Sequence, residues 1–273
     1  MAAALAEDVG RGDRTTEWCV EAGARGRAEI VAKSTGVIFG HAVAAEVFRC
    51  AGGAELEPLV AEGSAVGRGT RIAGVAGPAR TILTGERTAL NFLGRLSGIA
   101  SLTRRFVAAV EGTGARITDT RKTTPLWREL ERAATAAGGA VNHRSGLDAM
   151  VLIKENHIAS AGGIAAAVAR VHGANREGLR VEVEVTDLDE VREALAAGVD
   201  RIMLDNMDLA TVREAVRLIE DHDPRPEIEA SGGVDLDTVG DLARAGVGFI
   251  SVGALTHSAP ALDLSLRMTE VES

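Results

Sequence analysis

Residues 196–204 read Ala-Ala-Gly-Val-Asp-Arg-Ile-Met-Leu, and residues 244–252 read Arg-Ala-Gly-Val-Gly-Phe-Ile-Ser-Val. Both stretches have one form: a helix end, a glycine, then a short apolar strand. A glycine just past the last helical residue takes the left-handed backbone that stops a helix. A strand starting two or three residues later is the αβ turn of a repeating βα unit. Working outward, strand-like runs fall at 116–119, 150–153, 181–185, 201–204, 227–229 and 249–252. Amphipathic helical patterns fall at 188–197, 209–220 and 236–245. Units of about 20–35 residues predict a parallel sheet closed, or nearly closed, into an α/β barrel.

The first hundred residues have another rhythm. Short β-like runs at 27–33, 36–40, 56–60, 70–75 and 79–83 alternate with glycine turns, notably Glu62-Gly63-Ser64 and Gly67-Arg68-Gly69. That spacing predicts a small antiparallel or mixed sheet. Helical period appears at 42–50 and again from Glu86 to Val110. The expected organisation is an α/β domain over 1–100 and a barrel over 101–259.

The chain has 273 residues, 46% of them hydrophobic and 25% charged, with a net charge of −9. It has no basic run, so a nucleic-acid surface is not expected. Two cysteines, Cys19 and Cys50, are too few for a disulfide framework or a cysteine zinc site and fit a reducing cytoplasm. The opening Met-Ala-Ala-Ala-Leu-Ala-Glu-Asp lacks the basic start of a signal peptide. No run reaches the ~18 apolar residues of a membrane span. With no tyrosine, five Phe and two Trp, a planar ligand would be held by charge, aliphatic walls and backbone.

In this acidic chain, Arg121, Lys122, His143, Arg144 and Lys154 follow or flank the first two barrel strands. Singly, each basic residue is best read as a solvated surface charge. As a set at strand ends, where barrels carry their chemistry, they define a site for a multiply anionic small molecule. Arginine's planar fork suits a carboxylate, and two arginines suit a dicarboxylate. Glu184 and Asp205 end the next strands; they could hold ribose hydroxyls or Mg²⁺ on a polyphosphate, or pair with Lys122 or Lys154. Glu182 points the same way as Glu184, because strand side chains alternate. Ser231-Gly232-Gly233 and Gly253-Ala254-Leu255-Thr256-His257 read as a phosphate cradle or as plain tight turns. His157 is as well explained as a hydrogen-bonding neighbour as a ligand. Arg87 reads locally as a polar residue near a helix start that Glu86 can pair with. Trp18, Cys19, Cys50 and His41 read as structural.

The motifs resemble those of the quinolinate phosphoribosyltransferase family, the carboxylating nicotinate-nucleotide pyrophosphorylases. They are Glu7–Thr16, Glu86-Arg87-Thr88-Ala89-Leu90-Asn91, Leu96-Ser97-Gly98-Ile99-Ala100, Asp119-Thr120-Arg121-Lys122-Thr123-Thr124-Pro125 and Asn142-His143-Arg144. Leu152-Ile153-Lys154-Glu155-Asn156-His157, Met203-Leu204-Asp205-Asn206, Glu229-Ala230-Ser231-Gly232-Gly233 and Gly253–Ser258 complete them. The resemblance implies an N-terminal α/β sandwich, rejoined by residues 260–273, and an open barrel of about seven strands. It also implies a homodimer in which Arg87 reaches the neighbour's site. By this resemblance Arg87, Arg121, His143, Arg144 and Lys154 bind the pyridine dicarboxylate quinolinate. Lys122, Glu184, Asp205, Ser231, Gly232, Gly233, Gly253 and His257 bind phosphoribosyl pyrophosphate (PRPP) with Mg²⁺, the metal meeting Glu184 and Asp205. Lys122, Glu184, Asp205 and Lys154 would carry the chemistry of a pentosyl transfer in NAD biosynthesis, in the cytoplasm, with neither nucleic acid nor membrane as partner.

The chain departs from this family between Lys122 and Lys154. Leu126-Trp127 stands where the family has Gly-Leu, Arg132-Ala133-Ala134-Thr135 where it has Lys-Tyr-Ala-Val, and Ala140 where it has a third glycine. After Gly146-Leu147, Asp148 precedes Ala149 rather than following a variable residue. These departures leave open a different pyridine or heteroaromatic acid as acceptor. Two other classes compete: a barrel isomerase or aldolase using Lys154 as a Schiff base, and a ligand sensor without turnover.

Overall fold

The computed structural model describes residues 1–272. In chain order the elements begin α1 (Ala2–Val9), α2 (Arg14–Cys19), β1 (Arg25–Ala32), β2 (Gly36–Val37), α3 (His41–Gly52), β3 (Glu55–Pro58), β4 (Ala65–Val66), β5 (Arg71–Pro78) and α4 (Ala79–Ala109). Then come β6 (Arg116–Thr118), α5 (Arg128–Gly138), β7 (Val151–Ile153), α6 (Glu155–Ala161), α7 (Ile164–Ala174), β8 (Val181–Val185), α8 (Leu188–Ala197) and β9 (Arg201–Asp205). The last are α9 (Leu209–Glu220), β10 (Glu227–Ser231), α10 (Val239–Arg244), β11 (Phe249–Ser251), α11 (Ala254–His257) and β12 (Leu264–Glu272). Two compact units result. One holds Met1–Arg104, Ala133–Gly139 and the stretch from Ala259 onward; the other holds Arg105–Arg132 and Ala140–Ser258.

The first unit is built on a four-stranded antiparallel sheet in the order β12-β1-β5-β3. In β1 the buried positions alternate as far as Ile30, so one face meets the core and the other meets solvent. Residues 79–83 look β-like but form the first turn of α4. Pro78 stands just before it, and Ala79, Ile82, Ala89, Leu93 and Leu96 are buried at helical spacing, which outweighs the strand preference of Thr-Ile-Leu. Trp18 has no place in this core; it is 79% exposed.

The Leu96-Ser97-Gly98 motif has a packing explanation. Phe39 N–H donates to Ser97 Oγ (3.0 Å) and Val37 N–H to Ser101 Oγ (2.7 Å), so α4 serines satisfy backbone N–H groups of β2 and the loop after it. At Gly98 the chain at Pro260 and Ala261 lies directly against the helix, and a Cβ would collide with the Pro260 carbonyl.

The second unit is a parallel sheet in the order β6-β11-β10-β9-β8-β7, with helices in the connections. Six strands form it, not seven. The place of a seventh is reduced to one parallel bridge between Thr118 and Val141. Past Val141 the backbone leaves the ladder, because His143 N–H donates to the Asp119 carboxylate at 2.6 Å instead of to a neighbouring strand. The barrel therefore stays open between residue 141 and β7. The expected 188–197 and 209–220 helices are α8 and α9, while 236–245 shortens to α10. There Asp235 accepts from Thr238 N–H (2.9 Å) and forms a turn before the helix starts.

Strand alternation sorts the barrel into outside and inside. Val181, Val183 and Val185 are buried, and Glu182 and Glu184 face the other way, into the barrel. The inward residues stack in layers that the strand registers define. Leu152, Glu182, Arg201 and Glu227 share one row; Glu184, Met203, Glu229, Phe249 and Arg116 share the next; Thr118 pairs with Ser251 and Asp205 with Ser231 nearest the strand ends, where Lys154 follows β7.

Gly98→Ala is expected to lower stability by about 1–2 kcal/mol, since the backbone collision outweighs alanine's helix preference. Thermal denaturation of the variant checks this; an unchanged or raised Tm would contradict it.

Candidate active site

The strand-end layer opens into a cavity of about 580 Å³ in the second unit. Arg121, Lys122, His143, Arg144, Lys154, Glu184, Asp205, Ser231, Gly232, Gly233, Gly253 and His257 all line it, with Asp119, Thr120, Asn206 and Ser251. Arg87 is the one predicted site residue outside this lining. It is exposed on α4, in the first unit.

All of the lining residues named but His143 and Arg144 are placed by the end of a strand. Arg121 and Lys122 follow β6 in a turn where Lys122 N–H donates to Thr120 Oγ1 (3.1 Å). Thr256 Oγ1 donates to the Lys122 carbonyl (2.8 Å), tying this loop to the one after β11. Gly253 keeps the space between them tight: a Cβ would lie 3.0 Å from Lys122 Cδ and 3.2 Å from His257 Nε2, so both side chains would have to shift. Lys154 stands between β7 and α6, and its N–H donates to His157 Nδ1 (3.0 Å). His157 thus shapes the turn that presents Lys154 and does not itself line the cavity. Glu184 pairs with Lys154 Nζ across adjacent strands. Asn206 has a left-handed backbone (φ 54°), and its N–H donates to the Ser231 carbonyl (3.0 Å). Gly232, at φ 93°, fits closely under Asn206, where any Cβ would collide.

The cavity has two chemically distinct sides. Arg121 and Lys122 are exposed cations with no side-chain ion pair among the described residues. Arg121, Arg144, His143 and Lys154 form one side, and Lys122 reaches across to Gly253 on the other. Burial, and then Arg121 nearby, depress the Arg144 pKa, so an arriving anion would relieve a real electrostatic cost. The other side has Asp205, with Asn206 Nδ2 donating to it at 2.6 Å, and the glycine loops 231–233 and 253–254.

Beneath the cavity is a buried charged network that the sequence showed only in part. Asp119 is fully buried and accepts from His143 N–H, Asn142 Nδ2 (2.8 Å) and Arg132 Nη1 (3.4 Å). Burial pushes its pKa up in spite of those donors. His143 Nε2 lies 3.1 Å from Glu182 Oε2 and 3.4 Å from Glu229 Oε2. Burial works against the imidazolium, the hydrogen bonds and charges of Glu182 and Glu229 favour it and raise the pKa, and the Arg144 N–H donated to Nδ1 (2.8 Å) opposes it by occupying the lone pair that a second ring proton would need. Glu229 also accepts from Ser251 Oγ (2.5 Å) and Arg201 Nη1 (2.8 Å). The period of two along β10 would have flagged Glu229, which shares a face with Ser231.

The departures noted in sequence lie elsewhere. Leu126, Trp127, Ala133, Ala140, Asp148 and Ala149 are all absent from the cavity lining. Leu126 is fully solvent-exposed, at φ 68°. The chain keeps a glycine's backbone there although the residue is leucine.

A strand-end cavity in a parallel barrel, cationic on one side and glycine-looped on the other, defines an α/β-barrel protein that takes a multiply anionic small ligand. Comparison narrows the class. The quinolinate phosphoribosyl transferase N-terminal domain matches residues 13–97, and the C-terminal domain matches residues 99–267. A probable carboxylating nicotinate-nucleotide pyrophosphorylase of Synechocystis is 46% identical over 97% of this chain and 90% of its own length. A mitochondrial quinolinate phosphoribosyltransferase of Nicotiana tabacum is 40% identical over 98% of this chain and 81% of its own. The crystal structure of NadC from Streptococcus pyogenes superposes with a TM-score of 0.92 at 38% identity, covering 99% of this chain and 94% of that one. The chain belongs to the quinolinate phosphoribosyl transferase family.

A left-handed leucine costs about 1–2 kcal/mol, part of which glycine's freedom in the unfolded chain would take back. Leu126→Gly should therefore raise stability by up to about 1 kcal/mol, read as a later urea midpoint. A lower midpoint would show that the exposed leucine has a stabilising contact of its own.

Proposed function

We propose that this protein transfers the phosphoribosyl group of PRPP to quinolinate, releasing pyrophosphate and CO₂ and forming nicotinate mononucleotide. The observation that supports the reading most directly is the cavity itself, which gathers Arg121, Lys122, His143, Arg144 and Lys154 with Glu184, Asp205 and two glycine loops. Arg121, Arg144, His143 and Lys154 face a dicarboxylate. Ser231, Gly232, Gly233, Gly253 and His257 receive the phosphates, with backbone free to approach closely. The acceptor stays quinolinate in this reading because none of the residues that depart from the family lines the cavity.

The chemistry follows from the charges. The pyridine nitrogen forms a bond to C1 of the ribose as the C1–oxygen bond breaks, its electron pair leaving with pyrophosphate. Positive charge grows on the ribose ring, as in glycosyl transfer generally. Glu184 and Asp205 are placed to steady it, and Lys122 to meet the charge on the departing group. The pyridinium formed then accepts the electron pair left when the 2-carboxylate departs as CO₂, and a solvent proton completes the ring carbon. Glu184 and Asp205 offer hard oxygen donors but make only two ligands, which fits Mg²⁺ arriving on the diphosphate better than a resident ion. When bound, Mg²⁺ neutralises charge on the leaving group.

Lys154 is an ion-paired ammonium on a side chain 44% exposed. This disfavours a Schiff-base enzyme, which needs a desolvated, neutral amine. Arg87, exposed on its helix, is assigned to the cavity of a second subunit, so the working unit is a homodimer. Both cysteines are unpaired and exposed, in keeping with a reducing cytoplasm.

Supplied with quinolinate, PRPP and Mg²⁺, the protein should release pyrophosphate and CO₂ in equal amounts. Pyrophosphate without CO₂ would point to another acceptor, and neither product would end the assignment. Arg87→Ala and Lys154→Ala homodimers should each be inactive and regain activity after subunit exchange, because one mixed site then keeps both residues. Inactivity that persists after exchange would refute the shared site.

A further inference from the structure

The barrel interior holds two carboxylates that no ligand in the cavity can touch. Glu182 and Glu229 are both fully buried, and neither lines the cavity. A second cavity, of about 520 Å³ and lined by Arg116, Arg180, Arg201, Glu227 and Phe249, lies on their basal side. His143 and Arg144 border both cavities. The two glutamates thus sit in the partition between the cavities.

What they grip is the part of the site that has no strand under it. The Asn142–Arg144 segment follows the single bridge at Val141 and is tied down by side chains instead of a ladder. Both nitrogens of His143 are engaged. Nδ1 accepts from Arg144 N–H at 2.8 Å, and Nε2 faces Glu182 and Glu229. A nitrogen that accepts a backbone N–H carries a lone pair, so the ring proton is on Nε2. The two glutamates have different duties. Glu229 is already neutralised by Arg201 and accepts from Ser251. Glu182 makes the closer bond to His143, and its second oxygen, Oε1, has no partner. Other charged groups around the ring are Asp119 at its backbone N–H, Arg132 at its carbonyl (2.8 Å) and the Arg144 guanidinium, whose Nη1 donates to the Met150 carbonyl (3.2 Å).

We propose that Glu182, with Glu229 behind it, is a positioning residue for the acid-binding side. It holds the Nε2–H of His143 and so fixes the ring against which the Arg144 backbone is docked. This follows from the geometry: remove the acceptor and the ring can turn, Nδ1 leaves the Arg144 amide, and the segment loses one of its few tethers. The phosphate loops 231–233 and 253–254 rest on strands and are untouched. A consequence is that His143 offers an acid ligand its ring edge but no free N–H. The kinetic part of this inference rests on the proposed quinolinate reaction; the spectroscopic part does not.

The test uses the full-length protein. In ¹⁵N-labelled wild type, His143 is expected to carry its proton on Nε2, with Nδ1 showing the shift of an accepting nitrogen. Glu182→Ala should abolish that pattern and raise KM for quinolinate by about tenfold, the scale of losing one charge-assisted bond, with KM for PRPP unchanged. Glu182→Gln keeps an acceptor oxygen and should recover most of the loss. Equal damage to both KM values, or no effect on either, would overturn the proposal. Should Glu182→Ala not fold, a wild-type His143 protonated on Nδ1, or a Glu182→Gln variant without the Nε2–H signature, would overturn it as well. Wild type that shows the expected tautomer yet does not turn over quinolinate would refute the functional reading and leave the positioning intact.

Discussion

A barrel of short strands must fill its own interior, and in this one the period of two puts charge there. Val181, Val183 and Val185 face the helices, so Glu182 and Glu184 have nowhere to point but inward. The same alternation brings Arg201 and Asp205, then Glu227 and Glu229, into the same space. Buried charge is tolerated only when it is paired and hydrogen-bonded. The stack obeys that rule from bottom to top. Arg201 joins Glu227 (2.6 Å) and Glu229 (2.8 Å), Glu229 and Glu182 face His143, and Glu184 meets Lys154. The ligand cavity is where the stack ends with cations left over.

This arrangement reconciles an acidic protein with a cationic site. The net charge of −9 lies outside the cavity, where water screens it. Inside, Arg121 and Lys122 have no side-chain ion pair among the described residues, and burial, then the nearby Arg121, hold the Arg144 pKa down. An anionic ligand completes a network that is otherwise one sign too positive. The conformationally unusual residues stand on the other side: left-handed Asn206 over Gly232, and Gly253 against Lys122. Close backbone approach there needs residues without side chains, and one side chain with a local reason to bend.

Much of this was legible in the sequence because barrel chemistry is tied to strand ends, and strand ends are marked by pattern. The helix-glycine-strand form at 196–204 and 244–252 located β9 and β11, and with them Asp205 and Gly253. The predicted cluster of charges converges on one cavity because all but Arg87, His143 and Arg144 stand at or just past such ends, and side chains tie the 142–144 segment in beside them. What was not legible has physical causes. Residues 79–83 carry strand-forming side chains but obey helical burial, and only packing decides between the two. The missing seventh strand depended on one side chain, the buried Asp119, competing for a backbone N–H. Glu229 and Arg201 looked like ordinary strand charges until the register set them beside His143. Arg87 is silent locally, because its neighbours in sequence say nothing about a second chain.

The single bridge at Val141 gives the two halves of the site different histories. On the phosphate side the loops leave a continuous ladder, and a substitution that moves them must also break backbone pairing. On the acid side the Asn142–Arg144 segment hangs from a few side chains: Asp119, Glu182, Arg132. Such a tether can be rebuilt one residue at a time without disturbing the sheet. The residues read in the sequence as departures from the family, from Leu126 to Ala149, flank this segment along the chain, and none of them lines the cavity. The open seam is thus the barrel's region of permitted change: the half that receives the acid can be retuned while the half that holds the sugar phosphate stays as it is.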